Sequence, residues 1–146
     1  MRRWLFKTEP EAFSWDDLVA RGDRGEPWDG VRNHAACNHM RAMAVGDRGF
    51  LYHSGAARAV VGVVEVVAEA HPDPTRGDDE RWDCVDLRAV APLPEPVTLA
   101  AVKANRALAA MALVRQARLS VQPVAEAEWR EVRRMGGLDG EPADGS

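Results

Sequence analysis

An α+β domain, a small open β-barrel flanked by short helices, is the fold class this sequence predicts. Three observations carry that reading. Five short strand-like runs, Arg3–Lys7, Arg48–His53, Ala59–Ala68, Trp82–Val90 and Ala117–Val124, recur along the chain. The helical stretches between them are few and irregularly placed, which disfavours a doubly wound βαβ sheet. The chain has 146 residues, 46% of them apolar and 29% charged, which is the size and composition of a single globular domain with a real core.

The first run places Trp4 and Phe6 on one face and Leu5 on the other. Thr8-Glu9-Pro10 should end it, because Pro10 has no N–H for a ladder. Ser14 with Asp17 three residues on reads as a capping box opening a helix to Ala20. Arg21 to Pro27 reads as a loop containing Gly22 and Gly25. Asn33 is placed to cap a helix from His34 to about Met43, and Val45-Gly46-Asp47 to turn the chain.

Arg48–His53 directs Phe50 and Tyr52 one way, and Leu51 and His53 the other. Ser54 to Ala57 is a hairpin connection. The valine-rich run Ala59–Ala68 reads as a central strand, with Gly62 marking a bulge or a close backbone approach. His71-Pro72-Asp73-Pro74-Thr75 and the acidic run after it read as an exposed loop. In Trp82–Val90, Val85 and Leu87 share one face, and Trp82, Cys84 and Asp86 the other. Pro92, Pro94 and Pro96 read as a stiff connector, Thr98 as a helix cap, and Ala107 to about Met111 as a second short helix.

In Ala117–Val124 the alternation sends Leu119 and Val121 to one face and Arg118, Ser120 and Gln122 to the other. Three polar side chains on one face suit a pocket wall or a solvent-facing strand. Glu126 to Met135 is the last helix, with Trp129 and Val132 inward and Gly136 as C-cap. The domain is expected over 1–135, and the polar tail 136–146 is expected to be disordered.

Composition excludes several classes. No apolar run approaches the ~20 residues of a membrane span, and the N-terminus lacks the pattern of a signal peptide. Two cysteines, Cys37 and Cys84, make no disulfide framework, so a cytoplasmic setting away from membranes is expected. The net charge of −4 argues against a generic polyanion binder. A local basic rim from Arg32, Arg41, Arg48, Arg58, Arg115 and Arg118 remains open, with many acids in loops and tail: Asp73, Asp78, Asp79, Glu80, Asp139, Glu141 and Asp144.

Signals for catalysis are weak. His53 and Ser54 are sequence neighbours that point apart on a strand, and there is no Gly-x-Ser-x-Gly elbow. His34, Cys37 and His39 do not share a helix face, and no second pair stands at zinc-like spacing, so neither metal nor cofactor is expected. No dinucleotide or phosphate-binding glycine loop is present. Glu9 and Asp29 have acid–base chemistry, but nothing in the sequence sets their separation.

The densest chemistry lies in Trp28-Asp29-Gly30-Val31-Arg32-Asn33, an aromatic, an acid, a glycine, a cation and an amide within six residues. Such a set can clasp a flat polar ligand, with the indole stacking and Asp29 and Asn33 reading its edge. It can equally be a core anchor, a turn and a helix cap.

Five segments occur in order: Trp4-Leu5-Phe6-Lys7-Thr8-Glu9-Pro10, the Trp28–Asn33 stretch, Leu51-Tyr52-His53-Ser54, Val61-Gly62-Val63-Val64-Glu65-Val66, and Arg118-Leu119-Ser120-Val121-Gln122-Pro123-Val124. Together, over about Arg3 to Val132, they resemble the EVE domain family. Thr8 stands where that family more often has Ser, and the hydroxyl is kept. The resemblance implies a PUA-like fold, similar to the YTH and ASCH domains. It also implies a module that binds DNA or RNA without catalysis and reads a modified base, modified cytosine such as 5-methylcytosine above all, flipped into an aromatic and polar pocket. On that likeness Trp28 is the first cage aromatic and Trp82 a second. Glu9, Asp29 and Asn33 contact the base edge, Ser120 and Gln122 complete the wall, and Lys7, Arg32 and Arg118 hold phosphate. Thr8, Pro10, Val31, Tyr52 and Ser54 belong to the same matched segments. The alternative is an enzyme acting on a modified nucleotide or small ligand in that pocket through Glu9 or Asp29.

Overall fold

The computed structural model describes residues 1–138 and 140. Six strands, β1 (Arg3–Thr8), β2 (Glu26–Pro27), β3 (Arg48–His53), β4 (Ala59–Pro72), β5 (Asp83–Thr98) and β6 (Val121–Val124), form one sheet in the order β2-β5-β4-β3-β1-β6. Only β1 and β3 run parallel; every other pairing is antiparallel. Helices α1 (Trp15–Ala20) and α2 (His34–Arg41) lie on the crossover from β1 to β3, and α3 (Leu99–Ala104), α4 (Ala112–Arg115) and α5 (Glu126–Met135) follow β5.

The α+β class and the openness both hold. Among the described residues no ladder joins the two ends of the sheet. Helix α2 packs against both β5 and β6, so it fills the gap that a closed barrel would seal with hydrogen bonds. Repeated register shifts along β4 and β5 accompany this opening. Each bulge bends a strand and increases its twist. Gly62 sits at one of them, and a Cβ there would lie 2.4 Å from the Trp15 ring, so the close approach expected from the sequence is made by an indole.

The period-2 pattern of β1 and β3 holds. Leu5, Phe50 and Tyr52 join one buried cluster with Val60, Val63, Trp129 and Val132. Trp4, Phe6 and Leu51 join the other with Leu18, Trp28, Ala36 and Met40. The expected caps also form. Ser14 accepts from Asp17 N–H while the Asp17 carboxylate accepts from Ser14 N–H at 2.8 Å. Asn33 accepts from Ala36 N–H at 2.9 Å, and Thr98 from Ala101 N–H at 3.1 Å.

Other expectations are corrected. The Arg21–Pro27 loop contains a 3-10 turn (Gly22–Arg24) and β2. Strand β4 runs on through His71 and Pro72, and Asp73 is buried rather than exposed. The proline connector belongs to β5, where Pro92 pairs with Gly62 of β4 and Glu95 N–H donates to Gly136 O. The helix expected near Ala107 is a 3-10 turn (Arg106–Leu108) followed by α4. Strand β6 starts only at Val121, because Leu119 N–H turns back to Gln116 O. Gly136 caps α5, and the chain stays packed beyond it: Leu138 N–H donates to Arg133 O, and Leu138 lies against the first cluster. The rest of the expected tail, apart from Gly140, lies outside the described residues. Among the described residues, no helix is long and apolar enough to cross a membrane.

Candidate functional site

A cavity of about 530 Å³ opens between the end of β1, the turn before α1 and the segment 26–32. That volume is within the usual range for small-ligand sites. Its walls are Lys7, Thr8, Ala12, Phe13, the run Glu26 to Arg32, and Ser120.

Local bonds build the aromatic wall. The Thr8 hydroxyl donates to Phe13 O at 2.7 Å, and Glu9 O accepts from Ala12 and Phe13 N–H. These bonds fold the chain back and hold Phe13 edge-on to Trp28, with ring centroids 5.9 Å apart at 81°. Phe6 meets the same indole at 6.0 Å and 73°. Trp28 N–H donates to Val85 O, so the ring is fixed through its backbone as well. Trp28 is 7% exposed. It is at once a core anchor and a cavity wall.

The polar wall is held by Asp73. Its fully buried carboxylate accepts from Gly30 N–H at 2.8 Å, Arg32 at 3.2 Å, Thr75 N–H at 2.7 Å and the Thr75 hydroxyl at 2.6 Å. Burial alone would raise its pKa, but the bonds from Thr75, Gly30 and Arg32 outweigh that and hold it below the usual carboxylate value. Gly30 sits at φ 80°, a conformation that glycine adopts at little cost. Asp29 is shifted the opposite way, upward, by burial and then by the negative charges of Asp73 and Glu26. Lys7 donates to Ala117 O at 2.7 Å, and burial lowers its pKa. The opening therefore combines two cations, Lys7 and Arg32, with two carboxylates, Glu26 and Asp29.

Of the residues singled out in the sequence, Lys7, Thr8, Trp28, Asp29, Val31, Arg32 and Ser120 line this cavity. Glu9 and Pro10 form the adjoining turn, with the Glu9 side chain exposed. The Asn33 side chain is spent on capping α2. Tyr52 is buried in the first cluster with Lys7 over its ring at 5.8 Å, and the Ser54 hydroxyl donates to Thr8 O. Trp82 lies outside the cavity, stacked on His34 at 4.9 Å and 21°, with its indole N–H on Asp79. Arg32 lies 5.4 Å above its ring, so Trp82 braces a cavity residue without facing the ligand space. Arg118 is exposed on the turn before Ser120.

Gln122 is corrected most sharply. It is fully buried, its amide donates to Leu119 O at 2.8 Å, and its Oε1 has no hydrogen-bond partner among the described residues. The polar strand face dissolves because residues 118–120 precede the strand. The basic rim is corrected too. Arg48 is buried against Glu65 at 3.1 Å, Arg41 pairs with Asp83 at 2.9 Å, and Arg115 donates to Ala109 O at 2.8 Å. His34, Cys37 and His39 diverge: His34 is on Trp82, Cys37 is near the Arg81 and Asp83 carbonyls, and His39 is on Trp4. His53 accepts from Trp15 N–H at 3.0 Å, away from the Ser54 hydroxyl.

Sequence reasoning missed Phe13, Glu26 and Asp73. Phe13 carries a signal, since an apolar residue just before an N-cap with another four residues inside the helix, here Leu18, is a hydrophobic staple. Asp73 and Thr75 carry one as well, because an Asp commonly accepts from the backbone two residues on.

The EVE domain pattern matches residues 2–135. Mouse thymocyte nuclear protein 1 is 35% identical over 86% of this chain and 70% of its own length. A crystal structure of an Agrobacterium tumefaciens protein is 53% identical, covers the whole of both chains and superposes with a TM-score of 0.96. The crystal structure of human THYN1 protein in complex with 5-methylcytosine containing DNA is 30% identical, covers 96% of this chain and 100% of that one, and has a TM-score of 0.89.

Proposed function

The chain belongs to the EVE domain family, and on that premise we propose that it binds nucleic acid and reads a modified base, modified cytosine first, in the cavity walled by Trp28 and Phe13. The observation that carries this reading is the joining of an aromatic wall to carboxylates and cations in one opening. A base taken out of its stack needs flat apolar contact and hydrogen bonds to its edge. A carboxylate is the natural acceptor for the cytosine N4 amino group, and Asp29 and Glu26 both stand at the cavity. Lys7 and Arg32 complement base oxygens or the phosphates beside the flipped nucleotide. The binding of 5-methylcytosine DNA by the human relative supports the same assignment.

Magnitudes shape the test. Burying one methyl group supplies about 0.8 kcal/mol, roughly a fourfold preference. With a net charge of −4, backbone attraction should be modest and salt-sensitive. Fluorescence anisotropy should show tighter binding to oligonucleotides carrying 5-methylcytosine than to unmodified ones, and the ratio should survive a rise in salt. In Trp28→Ala, checked to be folded, affinity should fall by about 1–3 kcal/mol, roughly 5- to 150-fold. Equal affinity for modified and unmodified strands, at both salt levels, would overturn the reading.

A further inference from the structure

We infer that His71, Cys84 and Asp86, on the paired strands β4 and β5, form a binding site for one divalent cation of the zinc class. One ligand atom from each, an imidazole nitrogen, a sulfur and a carboxylate oxygen, lies within 4.8 Å of the others. The sequence hides this set, because His71 stands 13 residues from Cys84 and 15 from Asp86. The β4–β5 register brings them together: His71 faces Cys84 directly, and Ala68 faces Asp86.

The ring orientation points to a cation. His71 Nδ1 lies 3.2 Å from Pro72 O, and Nε2 lies 2.7 Å from Asp86 Oδ1. Both neighbours are acceptors, and the single N–H of a neutral ring can serve only one of them. A proton satisfies Asp86 alone. A metal ion at Nε2 engages the carboxylate and also the Cys84 sulfur, 3.9 Å from that nitrogen. An Nδ1–H bond to a backbone carbonyl is the usual way a ligating imidazole is oriented.

The distances suit a small adjustment. Tetrahedral zinc bonds put nitrogen and oxygen about 3.4 Å apart and nitrogen and sulfur about 3.6 Å apart. The two nitrogen separations of 2.7 and 3.9 Å therefore change by less than ~1 Å, and the sulfur and carboxylate oxygen, within 4.8 Å of each other, close toward the ion. Borderline-soft ions accept this mixed donor set, whereas magnesium and calcium prefer oxygen alone. The surrounding field is negative. The carboxylates of Asp73, Asp86, Asp29 and Asp83 surround Cys84, and their charge favours a divalent ion there. Access exists: the His71 and Asp86 side chains are 35% and 25% exposed, and Asp86 lines a second cavity of about 540 Å³.

Cobalt(II) titrated into the full chain tests the site. The expected result is visible absorption of tetrahedral cobalt with a thiolate-to-cobalt charge-transfer band, saturating at one equivalent and displaced by zinc(II). Cys84→Ser should abolish the charge-transfer band. His71→Ala and Asp86→Asn, at partly exposed positions that tolerate change, should weaken binding by at least ~10-fold while circular dichroism stays native. Absence of cobalt absorption in the wild-type chain overturns the site. So does a charge-transfer band that persists in Cys84→Ser, or wild-type affinity in the folded His71 and Asp86 variants.

Discussion

The two sides of the sheet are built from the same materials and end differently. On one side Trp129 is fully buried, stacked on Phe50 at 4.2 Å and 28°, with Arg3 4.6 Å above its ring. A ten-residue amphipathic helix seals that face. On the other side Trp28 is held edge-on by Phe6 and Phe13, and beside α1 and α2 the covering includes loops that leave a cavity. An aromatic ring packed on the sheet becomes core when, like Trp129, it is carried by a helix that closes over the strands. It becomes a wall when hydrogen-bonded loops, pinned by Thr8 and Asp73, do the covering.

The strongest test of this contrast is Trp129→Ala against Trp28→Ala in urea titrations. Loss of the stacked Trp129 should cost about 3–5 kcal/mol. Trp28→Ala should cost less, because part of that ring already borders open space; equal losses would erase the distinction between the two faces. Gly62→Ala should cost about 1–3 kcal/mol by overpacking, since the added carbon meets the Trp15 ring. A midpoint unchanged from wild type would mean that Trp15 moves freely and does not brace the loop side.

Asp73→Asn should cost about 1–3 kcal/mol at neutral pH through its unsatisfied partners, and should loosen the Gly30–Arg32 wall more than the sealed face. The sign of its pH dependence follows from its lowered folded-state pKa. Its contribution is present above the unfolded value of about 4 and is lost as pH falls through the lower folded value. The wild type should therefore lose its advantage over Asp73→Asn in acid, as read by denaturation at both pH values. The smallest effect expected is Ser14→Ala, about 1 kcal/mol from the lost cap. It should raise amide exchange in α1 and leave α5 untouched.

Local chemistry was readable wherever a residue's partner lies within a few positions. Ser14, Asn33 and Thr98 cap the helices expected of them, and Leu5, Phe50 and Leu51 take the faces that alternation assigns. The Trp28 segment is legible as a cavity candidate because its residue types suit a ligand, and Lys7 through the family resemblance. Trp82 and Gln122 looked equally suitable and do not line the cavity. Their placement depends on His34, Asp79 and Leu119, which neither strand periodicity nor residue type identifies as partners.

The sequence alone determined the α+β class, the caps, the inward faces of β1, β3 and α5, and the family resemblance, because these rest on periodicity and on bonds between near neighbours. Tertiary structure decided that Asp73 is buried under Arg32, that the three prolines belong to strand β5, and that His71, Cys84 and Asp86 converge. The physical reason is strand register. A shift of one residue in a β ladder exchanges the faces of every side chain, and the bulges that set the β4–β5 register depend on what packs against them, as Trp15 does on Gly62.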